Sequence, residues 1–244
     1  MSYKVYSKKR PYSYTWGAFP TFELIDRKPE WIEAVLVHTK TDQAIRHELA
    51  KRIDPTMIRQ DDRLLEKLAQ RENVYVLGIF RPNWPALDQS DHIVLDEPSN
   101  FGNLGTIIRT ALGLGYNNIA LIGPACDETH PQVIRASMGA VFAMHIERFP
   151  SIEDYRQVFP EHTLFAFMGG GTLEVSQLEN IETPYSLIFG NESRGLDESI
   201  RQMATPVSIA MTPDVDSFNI TIAAGIGMYV FRQHLVKQSS LQSI

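Results

Sequence analysis

Apolar and polar positions along most of the chain group into short blocks typical of strands and helices. After residue 91, apolar runs of strand length stand between segments with helical spacing. The runs predict strands at 92–96, 118–123, 143–149, 163–169, 185–190 and 206–211. Helices are predicted at 104–115, 131–139, 152–158, 195–203 and 218–236. This alternation indicates an α/β domain with a mostly parallel sheet covered on both faces.

The first ninety residues repeat the pattern on a smaller scale. An apolar run at 34–38 predicts a strand, and helical spacing between 44 and 53 predicts a helix with Thr41 as its N-cap. A second helix at 61–72 and a strand at 74–80 complete a strand–helix–helix–strand module. The segment 81–90 carries two prolines between apolar runs and is the predicted linker.

Composition narrows the class of protein. The chain has 244 residues, of which 43% are hydrophobic and 21% charged, as in ordinary globular proteins. Its one cysteine, Cys126, excludes an internal disulfide framework. The longest run of apolar and small residues, 220–231, is shorter than the ~20 residues that span a bilayer. We therefore expect a cytoplasmic protein that does not bind a membrane.

Charge is divided unevenly along the chain. Residues 1–90 hold 15 Lys+Arg and 12 Asp+Glu, a net charge of +3, whereas the remaining 8 and 17 give −9. Such an asymmetry fits an N-terminal part that faces a polyanion. It is also a common difference between domains, so charge alone leaves both interpretations open.

Three polar, glycine-containing segments interrupt the pattern after residue 91: 103–110 (NLGTIIRT), 189–196 (FGNESRGL) and 211–225 (MTPDVDSFNITIAAG). Asn103 could simply cap a helix. That role leaves Arg109 unexplained, because a guanidinium within an otherwise apolar helix needs an anionic partner.

The second and third segments also permit ordinary structural roles. Glu192 follows a strand that ends in Gly190, at the edge where α/β sheets bind ligands, but it could also be a first-turn carboxylate favoured by the helix dipole. Ser217 could cap the last helix, whose apolar and small residues predict a buried surface.

Taken together and in this order, the three segments resemble the signature motifs of the TrmH (SpoU) family of S-adenosylmethionine-dependent RNA ribose 2′-O-methyltransferases, of the SPOUT class. The resemblance extends over about residues 91–236. It implies a Rossmann-like parallel sheet with a C-terminal trefoil knot formed by loops near 168–172, 190–196 and 211–217. Periodicity alone would not reveal a knot.

The resemblance also implies a domain organisation and a site. An L30e-like RNA substrate-binding domain is expected at 1–85, on element order alone, and the knotted methyltransferase domain at 86–244. The last helix is expected to form a homodimer interface. The expected catalytic residues are Asn103, Arg109, Glu192, Ser217 and Asn219. The expected residues of the S-adenosylmethionine pocket are Met168, Gly169, Gly190, Ile209, Met211 and Phe218.

Other chemistries have weaker support in the sequence. The run 169–172 (GGGT) resembles a phosphate-binding loop, but no GK[ST] follows it. The Rossmann GxGxxG fingerprint and the GxSxG nucleophile motif are both absent. The seven histidines show no metal-ligand spacing, so no metal is expected.

Methyl transfer from a sulfonium mainly requires alignment and removal of the 2′-hydroxyl proton. Arg109 could act as the base after an unusual loss of its proton. It could instead hold the adjacent phosphate while that phosphate or a water accepts the proton.

The rival function is a non-catalytic RNA-binding or assembly protein that keeps the fold. The expected RNA is tRNA or rRNA, between which the sequence does not distinguish.

Overall fold

The computed structural model describes residues 3–179 and 181–241, with side-chain surroundings as far as residue 236. The chain divides into two compact units. The first comprises Met1–Asn83 and Asp127–Ala143, and the second comprises Trp84–Cys126 and Met144–Ile244. Residues 127–143 were expected in the second domain, whereas in the structure they pack into the first unit.

The elements before residue 84 form a four-stranded mixed sheet with three helices. In chain order they are β1 (Ser13–Tyr14), α1 (Ala18–Arg27), β2 (Ile32–Val37), α2 (Gln43–Arg52), β3 (Ile58–Gln60), α3 (Asp62–Ala69) and β4 (Val76–Phe80). The strand order is β1-β4-β2-β3, with β4 antiparallel to β1 and β2. The predicted module is present, and β1, α1 and β3 are additions to it.

The N-cap of α2 differs from the prediction. Asp42, not Thr41, caps this helix, because the Asp42 carboxylate accepts a hydrogen bond from the Ala44 N–H at 2.7 Å. The Thr41 hydroxyl instead donates to the Tyr75 carbonyl at 2.6 Å. Thr41 therefore ties the end of β2 to the residue before β4.

Aromatic packing holds the segment 127–143 in the first unit. The Phe142 ring meets the Phe80 ring edge to face at 5.2 Å, and the Tyr6 hydroxyl donates to Asp127 at 2.5 Å. Gly139 has a φ of 80°, and a Cβ there would lie 2.6 Å from Glu23 Cβ. A glycine is thus required where this segment passes against α1.

The remaining elements include a seven-stranded, all-parallel sheet. In chain order they are β5 (His92–Asp96), α4 (Phe101–Gly113), β6 (Asn118–Ile122), α5 (Pro131–Ala136), β7 (His145–Phe149), α6 (Ile152–Val158), β8 (Thr163–Phe167), β9 (Leu173–Glu174), β10 (Tyr185–Phe189), β11 (Thr205–Ser208) and α7 (Ile220–Leu241). All but α5 lie in the second unit. The strand order is β7-β6-β5-β10-β8-β11-β9. The predicted α/β class and parallel sheet are confirmed.

Three local features of this unit differ from the prediction. Helix α4 begins at Phe101 because Asn100 caps it, with the Asn100 side chain accepting from the N–H groups of Gly102 and Asn103 at 2.8 and 3.0 Å. Asn103 is therefore inside the helix and is not its cap. The helix predicted at 195–203 is only a 3₁₀ turn, Glu198–Gln202, and strand β9 was not predicted.

A chain of polar side chains is buried beneath α6. His92 is fully buried, with Nε2 donating to the Asp88 carbonyl at 2.7 Å and Nδ1 accepting from the Tyr155 hydroxyl at 2.8 Å. Tyr155 in turn lies 2.6 Å from the Ser186 hydroxyl. Burial lowers the pKa of His92 to about 4, so this imidazole is neutral in the folded protein near neutral pH.

Helix α7 packs closely on the sheet at one glycine. A Cβ on Gly227 would lie 2.6 Å from Cζ of Phe167. The Phe167 ring stacks on Phe189 at 4.6 Å, and Phe231 of α7 meets Phe165 at 4.8 Å. This aromatic layer lies beneath the carboxyl ends of β8 and β10, where the loops of the candidate site begin.

Candidate active site

A cavity of about 490 Å³ lies at the carboxyl edge of the parallel sheet. Its walls are the loops that follow β8, β10 and β11, three neighbouring strands. Parallel strands bring their following loops to one edge, which is why segments far apart in sequence meet here. The six residues predicted to bind the methyl donor all line this cavity: Met168, Gly169, Gly190, Ile209, Met211 and Phe218.

Gly190 permits the tight turn that forms the cavity floor. A Cβ at this position would lie only 2.3 Å from the carbonyl carbon of Gly195. Asn191 and Gly195 form an isolated antiparallel bridge, and Gly195 has a φ of 70°. The loop thus folds back on the end of β10, and its backbone lines the cavity without a side chain in the way.

Glu192 fastens this loop to the segment that follows β5. Oε2 of Glu192 accepts from the Ser99 N–H and hydroxyl at 3.2 and 2.9 Å. Oε1 accepts from the Asn100 N–H at 3.3 Å and from Nδ2 of Asn103 at 3.2 Å. The structure therefore brings Asn103 and Glu192, predicted from separate motifs, into direct contact.

These contacts set the protonation state of Glu192. Partial burial raises the pKa of its carboxyl, but hydrogen bonds from its own backbone N–H, Asn103 and Ser99 outweigh burial and hold the pKa below its usual range. The carboxylate is thus ionised near neutral pH, with several acceptor sites already used. This arrangement suits an anchor for the loops better than a base that must capture a proton.

A second contact between the same loops was not foreseen from the sequence. The Asn191 side chain donates to the Glu97 carbonyl at 2.8 Å, and Arg194 forms an ion pair with the Glu97 carboxylate. Glu97 has a φ of 48°, uncommon for a residue with a side chain. No local sequence signal marks Glu97, because its conformation depends on partners almost a hundred positions away.

Ser217 and Asn219 also line the cavity, in an exposed segment between β11 and α7. The structure gives the capping role to Asn219 and not to Ser217. The side-chain oxygen of Asn219 accepts from the Thr221 N–H and hydroxyl at 2.8 and 2.7 Å. Its amide nitrogen makes no hydrogen bond within residues 3–179 and 181–236, so it is available to a ligand.

Arg109 is the one predicted catalytic residue that stands apart from the cavity walls and from their hydrogen bonds. It is exposed on α4, between the buried Ile108 and the partly buried Thr110. Among the described residues its guanidinium forms no ion pair. The expected anionic partner is therefore not supplied by the described part of the chain, and the charge is available to an external anion.

Two other kinds of site have no support among the described residues. Among the described residues, no three histidine, cysteine, aspartate or glutamate side chains are grouped so that they could hold a metal ion. None of the described helices combines the length and apolar character needed to cross a membrane.

A parallel α/β sheet with a ligand-sized cavity outside its carboxyl ends defines a small-molecule-binding domain. The model of the SpoU rRNA Methylase family matches residues 91–229, more than half of the sequence and all the loops that form the cavity. The chain belongs to this family.

Relatives by sequence include an uncharacterized tRNA/rRNA methyltransferase from Synechocystis sp., 32% identical over 58% of this chain and 52% of that protein. The 23S rRNA (adenosine(1067)-2′-O)-methyltransferase of Streptomyces laurentii is also 32% identical, over 57% of this chain and 53% of that protein. The chain thus matches about half the length of these relatives.

Solved structures match nearly the whole chain. The SpoU methyltransferase AviRb from Streptomyces viridochromogenes has a TM-score of 0.79 at 23% identity, covering 93% of this chain and 91% of that one, a likeness of fold. An AdoMet-bound rRNA methyltransferase from Sinorhizobium meliloti has a TM-score of 0.78 at 25% identity, covering 92% and 88%.

Proposed function

We propose that this protein transfers a methyl group from S-adenosylmethionine to a ribose 2′-hydroxyl of tRNA or rRNA. The observation that carries the proposal is the cavity at the carboxyl edge, where residues of the second and third motifs meet and Glu192 fastens Asn103 of the first. Membership of the SpoU family and the 2′-O-methyltransferase activity of the Streptomyces laurentii relative support the same reaction.

The residues of the cavity fit the proposed donor. A volume of about 490 Å³ lies in the usual range for small-molecule sites. Ile209, Met211 and Phe218 offer apolar surface for an adenine, and the loops at Gly169 and Gly190 expose backbone groups. The bound donor supplies a methyl group already activated by a sulfonium. The chain must then orient the two substrates and allow the 2′-hydroxyl proton to be removed.

Within this proposal each polar residue has a separate task. Glu192 holds the two loops together and fixes Asn103, and Ser217 and Asn219 offer hydrogen-bonding groups at the cavity. Arg109 binds the phosphate next to the target ribose, because it is exposed and has no ion pair in the described part of the chain. The proton acceptor is then that phosphate or a water. In the alternative, Arg109 itself accepts the proton of the 2′-hydroxyl.

We propose that the active form is a homodimer through α7. Ile222, Tyr229 and Val236 are 52, 54 and 53% exposed and follow one another at seven-residue intervals. Such spacing places apolar side chains along one stripe of a helix, which a second helix can cover. A stripe of this kind costs free energy when it faces water.

We also propose three features of the whole chain. The first unit acts as an L30e-like RNA-binding domain, supported by its strand and helix order and its 16 Lys+Arg against 13 Asp+Glu.

The second unit contains a trefoil knot, supported by the β8–β9 connection, which must pass β11 because β11 lies between those strands. A cytoplasmic location remains a prediction, which cell fractionation would test.

The rival function is a non-catalytic RNA-binding or assembly protein that keeps the fold. The contact between Asn103 and Glu192 and the ligand-sized cavity favour catalysis, since an RNA scaffold needs neither. The two functions separate when the purified chain is incubated with tritiated S-adenosylmethionine and unmodified RNA. The proposal predicts label in 2′-O-methylated nucleosides after complete digestion. RNA that is bound but never labelled would support the rival.

A further inference from the structure

One wall of the cavity includes the first two glycines of a run of three, Gly169–Gly171, after β8. Gly169 and Gly170 line the cavity and are exposed, and Gly170 has a φ of 63°. Gly171 passes so close to β11 that a Cβ would lie 2.6 Å from the Ser208 nitrogen. A run of glycines loses more backbone entropy on ordering than any other sequence, so this wall needs an external support.

Arg201 supplies contacts of that kind from the 3₁₀ turn before β11. Nη2 of Arg201 donates to the Gly169 carbonyl at 3.1 Å, and Nη1 donates to the Gly170 carbonyl at 3.3 Å. Nε donates to the Glu198 carboxylate at 2.5 Å. All three guanidinium nitrogens are thus engaged, two of them on the glycine loop.

Arg201 reaches the loop from outside the cavity. It is absent from the cavity walls and lines a neighbouring open depression together with Arg156 and Thr172. A ligand in the cavity would therefore touch the loop and not the guanidinium. Any effect of Arg201 on that ligand must pass through Gly169 and Gly170.

We propose that Arg201 is a positioning residue, which holds the glycine loop in the conformation that binds the methyl donor. The inference rests on the proposed function. A ligand that needs an ordered loop binds with an apparent affinity reduced by the fraction of molecules in which the loop is disordered. By fixing two carbonyls of the loop, Arg201 raises the ordered fraction before the donor arrives.

The simpler interpretation is a surface ion pair between Arg201 and Glu198. The two side chains are 29 and 77% exposed and three residues apart, and such pairs add little to stability. If the ion pair were the whole role of Arg201, then Glu198→Gln and Arg201→Ala would act alike and neither would change donor binding.

The test is a calorimetric titration of S-adenosylhomocysteine and S-adenosylmethionine into the full chain and its variants. We expect Arg201→Ala to weaken donor binding about tenfold, which corresponds to a loss of about 1.4 kcal/mol. Arg201→Lys should fall between Arg201→Ala and the unaltered chain, because one ammonium cannot donate to both carbonyls in the fork geometry of a guanidinium. Glu198→Gln, the matched control, should stay within about twofold, since it keeps both carbonyl contacts.

Kinetics give a second readout. Arg201→Ala should raise KM for the donor and leave kcat at saturating donor and KM for RNA close to their original values. Unchanged donor affinity in Arg201→Ala, or an equal loss in Glu198→Gln, would overturn the inference. If Arg201→Ala does not fold, the donor affinity of Arg201→Lys is measured instead. A weaker affinity supports the inference, and an unchanged affinity overturns it. Absence of donor binding by the unaltered chain would contradict the proposed function, and the inference with it.

Discussion

At the scale of single residues, side-chain contacts hold together loops of the candidate site that lie far apart in the sequence. Gly190, Ile209 and Phe218 were predicted from motif positions and Met168, Gly169 and Met211 as further residues of the same pocket, and the fold brings all six to one cavity. The contact between Asn103 and Glu192 and the conformation of Glu97 were not predicted. Both depend on two loops that meet only after the parallel sheet has formed. The N-cap of α2 was predicted wrongly, because Thr41 stands next to Asp42 in sequence. The capping role considered as an alternative for Asn103 and Ser217 belongs to Asn100 and Asn219.

Arg109 gives the sharpest prediction for a side chain. Arg109→Ala should lower turnover by about 10²- to 10³-fold, since it removes the charge that we propose binds the phosphate next to the target ribose. Donor affinity should change by less than about twofold, because Arg109 is not part of the cavity walls. Arg109→Lys should rescue poorly, because an ammonium cannot make a two-pronged contact with phosphate.

Turnover, donor affinity and melting temperature should be measured on the same Arg109→Ala sample. An exposed residue without an ion pair in the described chain should leave the melting temperature nearly unchanged. Turnover near that of the unaltered protein would rule out a catalytic role for Arg109.

His92 predicts how stability depends on pH. Burial lowers the pKa of His92 to about 4 in the folded protein, against about 6.5 in an unfolded chain. The unfolded state therefore binds the proton more readily. The contribution of His92 to the free energy of unfolding is complete above pH ~6.5 and is lost as pH falls through the pKa of the folded state. The total loss is about 3 kcal/mol.

The free energy of unfolding should be measured by denaturant titration across this range of pH. In His92→Gln its slope against pH should be shallower, whatever the absolute stability of the variant. Burial also lowers the pKa of His162, so the His92→Gln variant should keep part of the slope. Equal slopes in the two proteins would show that His92 does not titrate in this way.

Helices and strands with strong periodicity were the most predictable elements. The bounds of β5 and α6 match the prediction, because each is a single apolar or amphipathic run with clear ends. β1 and β9, of two residues each, were missed since so short a strand has no periodicity of its own. The helix at 131–139 was predicted, but its packing into the first unit was not, because Phe142 and Gly139 find their partners only in the folded chain.

Helix α7 carries a prediction about assembly. Tyr229→Glu places a charge in the exposed apolar stripe, where a partner helix would have to bury it. We expect the unaltered protein to have about twice the monomer mass of 27.7 kDa by light scattering, and Tyr229→Glu to have the monomer mass.

The control for this variant is Val158→Glu. Val158 is 53% exposed on α6, close to the 54% of Tyr229, but it lies outside the stripe. The Val158→Glu variant should have the same mass as the unaltered protein. A monomeric unaltered protein, or dissociation by both variants, would contradict an interface formed by α7.

At the scale of the whole molecule, charge is divided unequally between the two units, and this asymmetry predicts which residues bind the proposed RNA. Lys8 and Lys9 of the first unit are exposed and form no ion pair within the described residues. Unpaired cations can bind phosphate without first breaking an ion pair. Lys8→Ala combined with Lys9→Ala should weaken RNA binding. The slope of the logarithm of the binding constant against the logarithm of salt concentration should become shallower by an amount that corresponds to about one to two phosphate contacts.

The matched control removes the same amount of charge from the same unit. Arg27 and Lys51 already pair with Glu23 and Glu48 at 2.7 and 3.0 Å. The double alanine variant of these two residues should therefore affect RNA binding less, and both double variants should bind the donor normally. Equal losses in the two would mean that only net charge matters. Full-length variants are needed because a fragment starting at residue 91 would separate 127–143 from the rest of its unit.

The proposed methyltransferase activity is tested most directly by a transcriptome-wide map of ribose 2′-O-methylation in total RNA. Cells with the protein, cells without it and cells that carry Arg109→Ala should be compared. The proposed activity requires that at least one methylated ribose in tRNA or rRNA is lost without the protein and is not restored by Arg109→Ala. Identical maps in all three, or full restoration by Arg109→Ala, would contradict it.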